Sequence, residues 1–105
     1  MEPLALIRGY SFIGYEPKKF GMSPVKALPA ALKQVGLELS DIDLIELNEA
    51  FAAQYLACER ELKIDRSKVN VHGGAIALGH PVAATGSKIL TTLLYAMKDR
   101  DAQLG

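Results

Sequence analysis

The 105-residue sequence predicts an α/β architecture, a mixed sheet with covering helices, built as one domain over residues 1–105. Three observations carry that expectation. Short apolar runs with β-branched members alternate with longer segments of helical period. Glycine and proline punctuate the junctions between them. The resulting order, strand then helix repeated along the chain, implies a layered α/β fold.

Leu4 to Ile13 mixes apolar residues with Gly9 and the aromatics Tyr10 and Phe12, and reads as the first strand. Gly14 to Pro24 reads as a turn-rich link, carrying Gly14, Pro17, Gly21 and Pro24. Val25, Leu28, Ala31, Leu32 and Val35 then recur at helical spacing. Pro24 suits the first turn of that helix and Gly36 its close. Pro29 is dissonant, because inside a helix it removes a hydrogen bond and bends the axis unless the helix starts later.

Ile42 to Leu47 follows as a short strand covered on at least one side. Asn48 directly after it has the chemistry of an N-cap, with acidic Glu49 in the favourable first turn. The next helix carries Phe51, Tyr55, Cys58 and Leu62 on one stripe. Ala52, Ala53, Leu56 and Ala57 widen its apolar face, which predicts burial on more than one side. Val69 to Val71 is a minimal strand, and His72 to Pro81 a long Gly-rich loop. A last helix over about Ala83 to Lys98 presents Ile89, Leu90, Leu93, Leu94 and Met97 on one face. No strand follows it, so the sheet ends early and leaves an edge or helix face in need of a partner.

Composition narrows the function classes. Twelve basic residues balance 12 acidic ones, so no long-range field draws the chain to nucleic acid or to an anionic membrane. A single cysteine forms no internal disulfide, which excludes a stapled secreted scaffold. No apolar run approaches the roughly 18 residues of a membrane-spanning helix. The opening residues lack the basic and apolar regions of a signal peptide, so the expected setting is cytoplasmic, with an organelle as the alternative.

Two segments carry chemistry. In Val71-His72-Gly73-Gly74-Ala75-Ile76-Ala77-Leu78-Gly79-His80-Pro81, three glycines let backbone approach another backbone or a ligand closely. His80 lies just ahead of a helix N-terminus, whose dipole disfavours the protonated imidazole. A neutral His80 is a hydrogen-bond donor to an oxyanion or a base towards a thiol. The competing reading makes His80 only a helix cap beside Pro81. In Asn48-Glu49-Ala50-Phe51, a strand end meets a helix start, where open α/β sheets place ligands. Asn48 there positions a water or donates to a carbonyl oxygen, and Phe51 walls a pocket. The competing reading is an ordinary cap and a core phenylalanine. Cys58, on an apolar stripe, reads as a buried inert thiol. His72, His80 and one cysteine match no recognised metal spacing. The glycines match neither a dinucleotide fingerprint nor a phosphate loop, and Lys88 lies too far along for one.

Taken together, Asn48-Glu49-Ala50-Phe51-Ala52-Ala53-Gln54 and Gly73-Gly74-Ala75-Ile76-Ala77-Leu78-Gly79-His80-Pro81 resemble thiolase signatures. The resemblance, to acetyl-CoA acetyltransferases and 3-ketoacyl-CoA thiolases, runs from about Leu4 to Met97. It implies a partial thiolase-like carboxy-terminal domain lacking its last strand or strands. It also implies acyl-CoA chemistry, with a coenzyme A thioester as substrate and no bound cofactor or metal. In such enzymes one cysteine takes up the acyl group and a second shuttles protons. By the resemblance, His80 activates the nucleophilic cysteine and helps bind the thioester oxygen. Asn48 holds a water towards the substrate oxygen. Phe51 lines the acyl pocket, Phe20 lies near the pantetheine path, and Gly79 and Ala50 contact substrate.

Neither family cysteine is present, and Cys58 matches neither position. Ser23 and Ala83 stand where the family usually has glycine. The Ala83 methyl, next to His80, is placed to shift that loop or obstruct a ligand. The expected function is that of a thiolase piece, inactive alone, which self-associates or pairs with a cysteine-bearing half. The alternative is a non-catalytic module that binds acyl-CoA or a thiolase subunit, and a bare structural remnant comes third.

Overall fold

The computed structural model describes all residues from Met1 to Gly105. Its helices are α1 (Ser23–Gln34), α2 (Ala52–Leu62), the single turn α3 (Ala75–Leu78) and α4 (Thr85–Asp99). No helix is long and apolar enough to cross a membrane.

α1, α2 and α4 fall close to where periodicity places them, and local chemistry explains their ends, whereas α3 is a helical turn inside the stretch His72 to Pro81 expected as a loop. Pro24 sits in the first turn of α1, where its missing N–H is no loss. The close of α1 is a Schellman turn: Leu37 N–H donates to the Leu32 carbonyl at 3.1 Å while Gly36 adopts φ 68°. Pro29 lies inside α1 and costs it one N–H bond without ending it. The link before α1 is turn-rich as expected: Pro17–Met22 is 3-10 turns broken by a kink at Lys19 (φ −126°), the second leading into α1. α2 closes on Lys63 in the left-handed region (φ 53°).

The predicted strands are reduced to one parallel bridge, Ile45 to Val69. Ile45 N–H donates to the Lys68 carbonyl and Asn70 N–H to the Ile45 carbonyl, both at 2.9 Å. Asn70 then turns into the left-handed region (φ 48°), so Val71 leaves the pairing. Leu4 to Ile13 is not a strand. It runs extended along α1, held by Ser11 Oγ donating to the Ala27 carbonyl at 2.7 Å and by Gly9 lying against Ala31 and Val35. A strand exists only through a neighbour's ladder, and no second extended segment lies alongside this one. Its side chains are correspondingly open, with Leu6 at 83 % and Phe12 at 90 % exposure.

Seven of the 105 residues are buried, and their apolar centre is Ile42, Ile45 and Val69. Leu32, Leu39, Leu47, Tyr55, Ile64 and Leu104 pack around it. Beside this core an apolar cleft of about 960 Å³ opens between the Leu4–Gly9 segment, α1 and α4. Leu90, Leu93, Leu94 and Met97 of α4 line it, so the predicted apolar face of that helix meets a cleft rather than a packed layer. The wide face of α2 is likewise covered on one side only: Cys58 is fully buried while Leu56 stays 49 % exposed.

The chain folds back after α4 to finish the core. Asp43 and Leu44 N–H groups donate to the Leu104 carbonyl, and the Asp43 carboxylate accepts from Gln103 N–H and Leu104 N–H at 2.9 and 3.0 Å. The Leu104 and Gln103 amides hold the Asp43 carboxyl below its ordinary value of 3.8. A lowered carboxylate supports the fold above its unfolded value and loses that support as pH falls through the folded one. Asp43→Ala is expected to speed exchange of the Gln103 and Leu104 amides about tenfold near neutrality, the scale of one charge-assisted bond. Wild-type chain acidified from 3.8 downwards is expected to lose the same protection progressively, the full loss coming only below the lowered folded value, read as hydrogen-exchange protection factors.

Candidate active site

The Ile45–Val69 bridge delivers the Asn48 segment, and one side chain extends it. Asn70 Nδ2 donates to the Leu47 carbonyl and Asn70 Oδ1 accepts from Leu47 N–H, both at 2.9 Å. A carboxamide thereby imitates the next rung of a ladder after the Asn70 backbone has turned away. Asn is among the few non-glycine residues that tolerate this left-handed backbone.

Asn48 is not a helix cap. α2 begins at Ala52 with extended Phe51 ahead of it and no side-chain cap, so a bend at Ala50 and Phe51 separates Asn48 from the helix. Glu49 explains this. Its carboxylate accepts from Ile76 N–H at 2.9 Å and from Asn70 Nδ2 at 3.3 Å, tying the segment to the opening of α3. Gly74 makes room for it: a Cβ there would sit 2.3 Å from the Glu49 carboxylate. The neighbouring Glu46 is half-buried, and burial raises its carboxyl against the partial opposition of Lys88.

The second segment arrives through α3. Gly79 follows that turn at φ 92° and ψ 158°, a conformation open to glycine and strained for other residues. Lys88 Nζ, one turn into α4, donates to the Gly79 carbonyl at 2.6 Å and fastens this bend. His80 then projects back, with Nε2 3.4 Å from Asn48 Nδ2. On its other side Nδ1 lies 2.7 Å from Thr85 Oγ1, and Thr85 donates to the Pro81 carbonyl at 2.9 Å. The two polar residues singled out in the sequence, 32 positions apart, therefore share one site. Asn48 Oδ1 is enclosed and has no hydrogen-bond partner within the chain.

The remaining sequence candidates are placed differently. Ala50 lies in the bend between Glu49 and Phe51 and is half-buried. Phe51 is 63 % and Phe20 64 % exposed, so this chain encloses neither ring, and Phe51 precedes the helix whose stripe it was expected to join. None of Asn48, His80, Phe20 and Phe51 lines the large cleft, which lies elsewhere. Cys58 is fully buried with its thiol directed at the Gly21 carbonyl, 3.3 Å away. Ala83 is exposed and Ser23, in the first turn of α1, half-buried; both lie outside the left-handed region, so neither position strains the backbone.

Glu49, Asn70, Thr85 and Lys88 escaped sequence reasoning as site residues. Only Glu49 left a local trace, as an acidic neighbour of Asn48. Asn70 acts across the fold on backbone groups, and Thr85 and Lys88 act around a bend on the His80 ring and the Gly79 carbonyl, which no periodicity reports.

The family description "Thiolase, C-terminal domain" matches residues 1–105, and the chain belongs to the thiolase family through that domain. It is 57 % identical to the acetyl-CoA acetyltransferase of Escherichia coli (strain K12) over 105 residues, all of this chain and 27 % of the relative. The solved structure of the Bacillus anthracis acetyl-CoA acetyltransferase superposes with a TM-score of 0.95 at 48 % identity, covering 98 % of this chain and 26 % of that one. Human mitochondrial 3-ketoacyl-CoA thiolase in complex with CoA superposes with a TM-score of 0.94 at 52 % identity, over 97 % and 26 %. The chain thus spans about a quarter of the length of the relatives it matches.

The Glu49 linkage yields a direct test. Gly74→Ala is expected to displace the Glu49 carboxylate and cost about 1–3 kcal/mol, the scale of a lost bond to a charged group. Glu49→Ala should cost a similar amount, and the double variant should cost little more than either. Denaturant unfolding of the four species measures the cycle, and full additivity would show that the two residues act separately.

Proposed function

We propose that residues 1–105 act as one partial thiolase domain that supplies Asn48 and His80 to acyl transfer between coenzyme A thioesters. The reaction is thiolysis or Claisen condensation of a 3-ketoacyl-CoA. The observation that carries the reading is the 3.4 Å approach of Asn48 Nδ2 to His80 Nε2 within a thiolase C-terminal domain.

In the proposed chemistry a cysteine thiol from a second thiolase segment gives its proton to His80 Nε2. The thiolate adds to the thioester carbonyl carbon, and the carbon–sulfur bond to coenzyme A breaks. Coenzyme A leaves as a thiol, taking up that proton, and the acyl group stays on the cysteine, which is the first half of condensation. In thiolysis the same thiolate adds to the 3-keto carbon instead: the C2–C3 bond breaks, the departing acetyl-CoA carbanion takes up the proton at C2, and coenzyme A thiol then takes the acyl group and returns a proton to the cysteine. Charge developing on the carbonyl oxygen needs donors placed in advance. His80 serves this through Nε2 once that atom carries the thiol proton, while Asn48 serves it through a water held on its side-chain amide. Phe51 would line the acyl pocket, Phe20 would flank the pantetheine path, and Gly79 and Ala50 would contact substrate. No resident cofactor or metal is part of this chemistry.

Cys58 is unsuited to the nucleophile's role, because it is fully buried and held on the Gly21 carbonyl. The chain is therefore expected to be inactive alone. The open apolar cleft supports self-association or pairing with a cysteine-bearing half. Relatives include bacterial enzymes and a human mitochondrial one, so the proposal covers cytoplasmic and organellar settings.

Acetoacetyl-CoA thiolysis tests the reading. The purified chain should show no turnover, and turnover should appear with a cysteine-bearing thiolase half. His80→Ala should then lower it at least 10²-fold, the scale of one general base or oxyanion donor. Turnover by the chain alone, lost in Cys58→Ser, would overturn the proposal. Coenzyme A binding without turnover in any assembly would favour the non-catalytic module instead.

A further inference from the structure

We infer that Thr85 is a positioning residue that holds His80 in its Nδ1–H tautomer, leaving Nε2 as the bare nitrogen facing Asn48. A threonine hydroxyl has one proton to give. Thr85 gives it to the Pro81 carbonyl, 2.9 Å away and one helical turn back. Its oxygen therefore offers only lone pairs to His80 Nδ1, 2.7 Å distant. A ring nitrogen that close to a lone pair carries the proton. Neutral imidazole has a single N–H, so Nε2 is bare.

The far end of the ring fits the same tautomer with the Asn48 carboxamide in this orientation. The neighbour of Nε2 at 3.4 Å is the Asn48 amino group, which donates and accepts nothing. The opposite tautomer would set an N–H against that amino group and would take the Thr85 proton from Pro81. Thr85 is also suited to an anchor. It is 6 % exposed at the first position of α4, while His80 itself is exposed. A buried hydroxyl with its rotor fixed by the Pro81 carbonyl in the turn before α4 thus sets the orientation and protonation of a ring that little else restrains.

The consequence for catalysis rests on the function proposed above, whereas the tautomer itself does not. A bare Nε2 is the form able to accept a thiol proton, and the reversed tautomer is not. In a serine protease triad, a histidine held in the wrong tautomer lowers turnover by about 10⁴-fold.

The test is ¹⁵N spectroscopy of the imidazole nitrogens in the 105-residue chain at about pH 8, where an ordinary histidine is neutral. His72→Gln separates the signals of the two histidines. In wild type, His80 Nδ1 is expected at the protonated shift and Nε2 at the unprotonated one. Thr85→Ser should keep that pattern, since it keeps the hydroxyl. Thr85→Val, nearly isosteric, should shift the ring towards the Nε2–H form while the backbone amide spectrum stays folded. A wild-type ring in the Nε2–H form, or a folded Thr85→Val chain with an unchanged tautomer, would overturn the inference. Where Thr85→Val fails to fold, the wild-type spectrum decides alone. The readout needs no substrate, so an absence of thiolase activity in any assembly would leave the tautomer result standing.

Discussion

The structure depends on how the extended segment ending at Asn48 is held in register. One parallel bridge, Ile45 to Val69, sets it, and the Asn70 carboxamide carries it one rung further by exchanging two hydrogen bonds with Leu47. Each such bond contributes only about 1 kcal/mol net. Their importance is geometric: slipping the segment by one residue would reverse which face every side chain occupies. Asn48 would then point away from His80. Glu49 completes the arrangement by joining this segment to the α3 turn, so the two polypeptide stretches that meet at the site are also bonded to one another behind it.

Helices were legible in the sequence because their signals are local. The spacing from Val25 to Val35 with Pro24 before and Gly36 after marked α1, and Ile89 to Met97 marked α4. Strands were not, because β structure is a property of pairs. Leu4 to Ile13 has strand composition but lies alone against α1, and Val69 to Val71 is cut short by the left-handed turn at Asn70. The error at Asn48 has the same origin. An asparagine after an apolar run has the chemistry of a cap, and only the long-range Glu49 contacts show why the helix waits until Ala52.

The site was half legible. Asn48 and His80 stood out through their motifs, and their meeting is the central geometric result. Their supports did not stand out, since Asn70, Thr85 and Lys88 act by bonding main-chain carbonyls or a ring nitrogen far away in sequence or around a bend. The sparse core has a physical reading too. Seven buried residues and a wide apolar cleft describe a portion of a domain whose apolar faces exceed what this length of chain covers. The contact between Asn48 and His80, by contrast, is made within the chain, because the bonds that support it join segments of this chain.

The most direct measurement of that assembly is the nuclear Overhauser contact between the Asn48 side-chain amide protons and the His80 ring protons. It is expected in the wild-type chain and is expected to vanish in Asn70→Ala, whose helices should persist. A contact that survives Asn70→Ala unchanged, or is missing from folded wild type, would contradict the dependence of the site on the Asn70 clamp.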